Sequence, residues 1–319
     1  MTRLGYKNVQ PYNHLNPSDW IDTGYMSTLP IKLNALELSK HLKRAPAEHK
    51  GDAGKVILVG GAPGMAGALL LAGNACLHLG AGWTILEMLD PTSAHACMDH
   101  PELMIRLADP QADLSAQQNR VDVIAIGPGL GVSELAKHWL HNILSSTRVP
   151  LVIDADAINL IASDKALLQA LQKRNQENPE QTVLTPHPGE AANLLHSSAT
   201  DVQDNRINAL EQLVALTQSI VVLKGQNTLI ASPNHPALRC EEGNAGMGTG
   251  GMGDVLTGSI AAIAAQGLRH QLNLWEASGL AIELHARAAD SLVSKGIGPI
   301  GLTPSEVILE MRSLLNKLL

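Results

Sequence analysis

Residues 55–79 read KVILVGGAPGMAGALLLAGNACLHL, and the change of pattern inside them decides the fold class. The first five positions are a near-continuous, β-branched apolar run, the signature of a strand covered on both faces. A glycine turn follows, and from Ala66 to Leu79 the chain reads as a helix. Strand, glycine turn and helix make up half of a parallel crossover unit. The alternation continues, with strands predicted at 83–88, 121–127, 149–154, 181–185 and 220–225, mostly separated by helical segments long enough for crossovers. Residues 227–231 and a weaker strand near Leu238 predict a hairpin, and helices near 275–294 and 304–318 finish the chain. The fold expected is α/β, a central, mostly parallel sheet covered by helices on both faces. Ahead of it, the amphipathic stretch LNALELSKHLKR (33–44) is set off by Pro46 to Gly54, which divides the chain into an N-terminal arm and leading helix (1–48) and one large domain (49–319).

Composition narrows the function classes. The 319 residues are 45% hydrophobic, enough for one large core. A formal charge of −7, with no block of like charge, argues against nucleic acid and against a membrane surface as partners. No apolar run of membrane-spanning length appears, and MTRLGYKNVQPYNHLNPSDW (1–20) lacks the apolar core of a secretion signal, so a cytoplasmic protein is expected. Cys76, Cys97 and Cys240 are odd in number and form no metal-type pair, which predicts buried free thiols. The chain has no Phe, and four of its seven aromatic residues, Tyr6, Tyr12, Trp20 and Tyr25, lie in the arm. They predict an arm anchored on the body or on a neighbouring subunit.

In an open parallel sheet, ligands gather beyond the carboxyl ends of the strands. The predicted strands end in GGAPGMAGA, GPGLG (127–131), DADAIN (154–159), TPHPGE (185–190) and KGQNT (224–228). After them comes NAGMGTGGMGD (244–254), five glycines in eleven positions closing on an aspartate at the start of a helix. Bare amides at a helix start, together with the positive end of its dipole, form a hole for the charge on a transferring phosphoryl group. The formal G-x-G-x-x-G at Gly246, Gly248 and Gly251 is followed by helices and not by a βαβ unit, so it is a weak dinucleotide signal. Asp254 reads either as a general base or as a helix cap. Asp154, Asp156 and Asn159 read either as magnesium ligands through water, as pocket lining, or as capping after a strand. His187, between two prolines, falls at a helix start, where the neutral ring is favoured. Three other functions suit parts of this pattern: a small-molecule kinase, a nicotinamide-dependent oxidoreductase built on Gly61, Gly64 and Gly67, and a non-catalytic nucleotide-binding module.

Taken in order, HKGDAGKVILVGG, GPGLG, DADAIN, TPHPGE, VVLKGQNT and NAGMGTGGMGDVLTG resemble the ADP- or ATP-dependent NAD(P)H-hydrate dehydratases of the ribokinase-like superfamily, from about His49 to the C-terminus. The resemblance implies that a nucleotide phosphorylates the ring hydroxyl of the S epimer of hydrated NADH or NADPH, and that elimination of phosphate restores the reduced cofactor. It implies Asp254 as catalytic base and substrate contact, with Ala68, Gly129 and His187 also on the substrate. It places the nucleotide on Lys224, Gly225, Gln226, Asn227, Thr228 and Gly253, and it implies Mg2+ with ADP or ATP as co-substrate. A homotetramer is implied as well. Residues 1–48 are too few for the epimerase domain that many relatives carry in front, so a separate epimerase, or spontaneous epimerisation, is expected to supply the S epimer. The choice between ADP and ATP stays open, although free-standing domains of this kind resemble the bacterial ADP users.

Overall fold

The computed structural model describes residues 30–95, 100–109 and 121–319. The strands are β1 (Ile31–Lys32), β2 (Lys55–Gly60), β3 (Trp83–Met88), β4 (Met104–Leu107), β5 (Val123–Ile126), β6 (Leu151–Ile153), β7 (Thr182–Leu184), β8 (Ile220–Leu223), β9 (Leu229–Ser232) and β10 (His235–Arg239). They form one sheet in the order β1-β10-β9-β8-β7-β6-β5-β2-β3-β4. Neighbours from β8 to β4 are all parallel, β8–β9 and β9–β10 are antiparallel, and β1 joins the edge parallel to β10. The helices are α1 (Ala66–His78), α2 (Glu134–Ser146), α3 (Ala155–Ser163), α4 (Lys165–Glu177), α5 (Pro188–Leu195), α6 (Ala199–Asp204), α7 (Arg206–Thr217), α8 (Met252–Gly267), α9 (Leu274–Ser294) and α10 (Pro304–Leu318).

The sheet is covered on both faces, as the continuous apolar strands require. Val56 and Leu58 of β2 join a core with α1, α8, α9 and α10, whereas Ile57 and Val59 point into a second core with α2, α3, α4 and α7. The partition repeats in β8, where Val222 faces the first core and Val221 the second. Burying a side chain of this size contributes about 1.5–3 kcal/mol. α8 is apolar all round and lies inside the protein; only its Gly253 and Asp254 are not buried. It packs on α1 backbone to backbone, because a Cβ on Gly258 would lie 1.9 Å from the Ala72 carbonyl oxygen.

Some elements differ from the sequence reading. The strands expected at 121–127 and 149–154 are the shorter β5 and β6, since Gly127 and Asp154 already turn out of the sheet. β1 and β4 were not anticipated, and the leading helix is a short 3-10 segment, Leu36–Leu42. Cys76 and Cys240 are buried free thiols, and burial pushes both up to about 12. Cys97 and the aromatic arm residues Tyr6, Tyr12, Trp20 and Tyr25 lie outside the described residues. Among the described residues no helix is long and apolar enough to cross a membrane.

Candidate functional site

Five chain segments leave the carboxyl ends of β2, β5, β6, β7 and β8 and meet the start of α8. The turns after β2 and β5 are bound to each other: Gly61 and Ala62 donate to the carbonyls of Pro128 and Gly129, at 3.1 and 2.7 Å. Gly129, at φ +57°, has room only for hydrogen, because a Cβ there would lie 2.5 Å from the Met65 carbonyl oxygen and 3.2 Å from the Ala68 Cβ. Ala68 and Gly129 therefore sit side by side. Asp156 fastens this pair to the next segment by accepting from the Gly131 amide at 2.8 Å.

Lys224 closes the other half. Its ammonium lies 2.6 Å from Asp154 Oδ1 and 3.8 Å from Glu190 Oε2. Burial acts to lower its pKa, but the carboxylates of Asp154 and Glu190 outweigh that and hold it above the ordinary lysine value. A Cβ on Gly253 would lie 3.2 Å from Lys224 Nζ, so the helix start passes directly over this ammonium. The remaining nucleotide candidates form the tight turn from β8 to β9: Gly225, Gln226 and Asn227 are exposed, and Thr228 Oγ1 donates to the Gly225 carbonyl at 3.0 Å.

The His187 ring caps α5. Its Nδ1 accepts from the Gly189 and Glu190 amides at 3.0 and 3.3 Å, so the neutral ring carries its proton on Nε2. Burial, with the Lys224 charge, lowers the His187 pKa and keeps that form. Glu190 returns the cap by accepting from the His187 amide at 2.7 Å. Its carboxyl is pushed up to about 7, first by burial.

Asp254 lies in the first turn of α8, and no donor among the described residues reaches its carboxylate. Burial first, and the negative charge of Asp154 next, push it up to about 7. The α8 N-cap is Gly251, at φ +97°, with no side-chain cap. The amides of Gly253 and Asp254 likewise find no acceptor among the described residues. Free amides, a fixed ammonium and a carboxylate poised near neutrality suit a phosphoryl group arriving at a hydroxyl.

Residues 56–310 match the profile of the NAD(P)H-hydrate dehydratase family. The chain belongs to that family. It is similar to a bifunctional NAD(P)H-hydrate repair enzyme of Coxiella burnetii, at 37% identity over 86% of this chain and 53% of that one. It is also similar to an ADP-dependent (S)-NAD(P)H-hydrate dehydratase of Neisseria meningitidis, at 36% identity over 87% of this chain and 91% of that one. The chain thus spans about half the length of the first relative and nearly all of the second. A ribokinase-like superfamily protein of Enterococcus faecalis shares the fold, with a TM-score of 0.70 and 27% identity over 88% of this chain and 94% of that one.

Within this dehydratase-family site, the candidates fall into three groups. Ala68 and Gly129 form one wall, Lys224, Asp254 and His187 share one electrostatic cluster with Asp154, Asp156 and Glu190 over which Gly253 passes, and Gly225, Gln226, Asn227 and Thr228 make the turn after β8. All three magnesium candidates are otherwise engaged. Asp154 accepts from three side-chain donors, Asp156 from the Gly131 amide at 2.8 Å, and Asn159 Oδ1 from Asn193 at 2.9 Å. The sequence reading missed Thr257, which donates to Asp154, and His285, which is buried, held down at about 4 by that burial, and without a partner at Nε2 among the described residues. Thr257 follows Asp254 by one helical turn, which is the spacing that could have found it. His285 carried no such signal.

Proposed function

We propose that this chain dehydrates the S epimer of hydrated NADH or NADPH, converting ADP to AMP, or ATP to ADP, with release of phosphate. The observation that supports it most is the unpartnered Asp254 carboxylate, beside free amides and above Lys224. Hydroxide is a poor leaving group near neutral pH and phosphate a good one, so phosphorylation turns the ring hydroxyl into something the ring can expel. Asp254 takes the hydroxyl proton as the oxygen attacks phosphorus, and the Gly253 and Asp254 amides with the Lys224 ammonium receive the phosphoryl charge. The turn at Lys224, Gly225, Gln226, Asn227 and Thr228 carries the rest of the nucleotide. Ala68, Gly129 and the His187 ring, whose Nε2 lies 3.2 Å from Glu190 Oε1, line the substrate side. Cleavage of the substrate carbon–oxygen bond, pushed by the ring nitrogen lone pair, expels phosphate, and the departing phosphate takes a proton from the neighbouring ring carbon to restore the double bond while the site holds the ring and excludes water.

Magnesium belongs to this reading as the companion of the nucleotide. Among the described residues no group of three or more His, Cys, Asp or Glu side chains is arranged to hold a metal ion. The residues therefore do not make a resident metal site, and the ion enters as part of the co-substrate, on its phosphates. A cytoplasmic homotetramer, supplied with the S epimer by a separate epimerase, completes the proposal.

The test is to incubate the chain with hydrated NADH and ADP, or ATP, and follow the absorbance of the reduced nicotinamide together with AMP or ADP and phosphate. Stoichiometric return of all three is expected. Nucleotide cleavage without return of NADH would identify a kinase and overturn the dehydratase reading.

A further inference from the structure

Asp154 accepts more than a strand-end aspartate requires. Its Oδ1 takes hydrogen bonds from Lys224 Nζ at 2.6 Å and from Thr185 Oγ1 at 2.7 Å, and its Oδ2 takes one from Thr257 Oγ1 at 2.7 Å. The residue is 1% exposed and makes no side-chain cap to α3, the helix it precedes. Donors from β7, β8 and α8 therefore converge on one carboxylate from β6. A buried carboxylate is costly unless fully paired, and this one is paired at both oxygens. Thr257 ties it to the helix whose first turn presents Gly253 and Asp254. A Cβ on Gly253 would lie 3.7 Å from Asp154 Oδ2, so the aspartate, the lysine and the helix start form one stack.

We propose that Asp154 is a positioning residue for phosphoryl transfer, anchoring the Lys224 ammonium beneath Gly253 where the transferring group meets the free amides of α8. The proposal rests on the nucleotide-dependent reading above. No bond is made or broken at Asp154; it holds a fixed positive charge against the phosphoryl oxygens. Three charged groups face Lys224: Asp154 after β6, Glu190 on α5 and Asp254 on α8; its own charge reaches His187 and His285. Arg206 on α7 donates to the Lys224 and Leu223 carbonyls, at 3.3 and 3.0 Å, and to Gln203 Oε1 at 2.9 Å, so its charge is turned away from the ammonium. Asp154 is the charge nearest to Nζ. Without it, the burial that already works against the ammonium is opposed only by the more distant carboxylates.

Asp154→Asn separates a charge-holding role from a strut between β6 and α8, because asparagine can still bridge Lys224 and the two threonines. The expected result is a kcat/KM for ADP lowered about 10- to 100-fold at pH 7. A new loss of activity is also expected on the alkaline side, because without Asp154 burial makes Lys224 give up its proton at lower pH than in wild type. ADP affinity by calorimetry should show the same alkaline loss without turnover. A wild type that binds ADP but does not dehydrate would sink the functional reading and leave this binding measurement standing. A folded Asp154→Asn protein with a wild-type pH profile overturns the proposal. Should that variant not fold, Thr257→Val keeps the shape and frees Oδ2. Loosened positioning then predicts a kcat lowered about fivefold or more at unchanged KM for the hydrate, and unchanged kcat overturns it.

Discussion

Among the described residues, the α-helices begin in two ways. α2, α4, α5, α6, α7, α9 and α10 each have an N-cap side chain accepting from their first amides: Ser133, Asp164, His187, Ser198, Asn205, Asn273 and Thr303. α1, α3 and α8 have none, and all three start where the strands β2, β6 and the glycine stretch open onto the site. The clearest contrast is between α5 and α8, which both border Lys224. α5 is closed twice, by His187 on its amides and by Glu190 on the His187 amide, so its start is finished without a ligand. α8 starts on a glycine and, among the described residues, leaves the Asp254 carboxylate and the Gly253 and Asp254 amides unmatched. A capped start fixes a side chain in place. An uncapped one leaves hydrogen-bonding capacity for something that arrives later, and the protein uses both devices on opposite sides of one ammonium.

The largest expected break of that contrast is Asp254→Asn. If the uncapped start is chemical, turnover should fall by about 10²- to 10⁴-fold, roughly 3 to 5 kcal/mol of barrier, with ADP still bound. The same pair of proteins tests the titration. Wild-type kcat/KM should climb as pH rises through about 7, because only the ionised carboxylate accepts a proton. Burial pushes folded Asp254 up to about 7 from the ordinary aspartate value of 3.8, so the protonated form is favoured by folding. Stability from this group is complete below the unfolded pKa and lost as pH rises through the folded one. Asp254→Asn should therefore melt like wild type at about pH 4 and higher than wild type at about pH 8. Equal melting at both, with near-normal turnover, would make Asp254 a mere helix-start residue.

Next in size is Gly253→Val. Its side chain would stand over Lys224 Nζ, where the added Cβ already comes within 3.2 Å. The Kd for ADP should rise tenfold or more, which is about 1.4 kcal/mol or more. Unchanged ADP affinity in a folded variant would remove the nucleotide from this helix start. The smallest effect belongs to the capped side. His187→Ala should cost about 1 kcal/mol of stability, and His187→Asn, which can still cap, only part of that. Both should raise the KM for the hydrated cofactor and leave ADP affinity alone; a loss of ADP binding in both would show that the two starts serve one ligand.

Most of the sheet could be read from the sequence because its strands are buried on both faces and carry long apolar runs. β4 could not, since Met104–Leu107 is mostly exposed and includes Arg106, which pairs with Glu87. β1 is two residues long and exists only through its pairing with β10. At the site, glycine and proline punctuation exposed the loops, and the resemblance named Gly129, His187, Lys224, Gly253 and Asp254 within them as candidates. The roles of Asp154 and Thr257 were not legible, because the hydrogen bond joining them spans 103 residues and no local pattern reports it. The same holds for Glu190: the sequence places it at the end of TPHPGE, and only the fold shows that its carboxyl caps the His187 amide and is buried beside a lysine.

The edge strand β1 has one more consequence. A sheet ends in a row of unpaired backbone groups, and that row is a template on which another chain can build. Among the described residues it is Ile31 and Lys32 on this side, preceded by Pro30, which has no amide hydrogen to offer. Lys32 also projects a charge held between Glu241 and Glu242, at 3.4 and 3.0 Å. Beside Leu238 and Arg239 of β10, the described margin of the sheet is thus a charged strand of two residues, a poor template for cross-chain β structure.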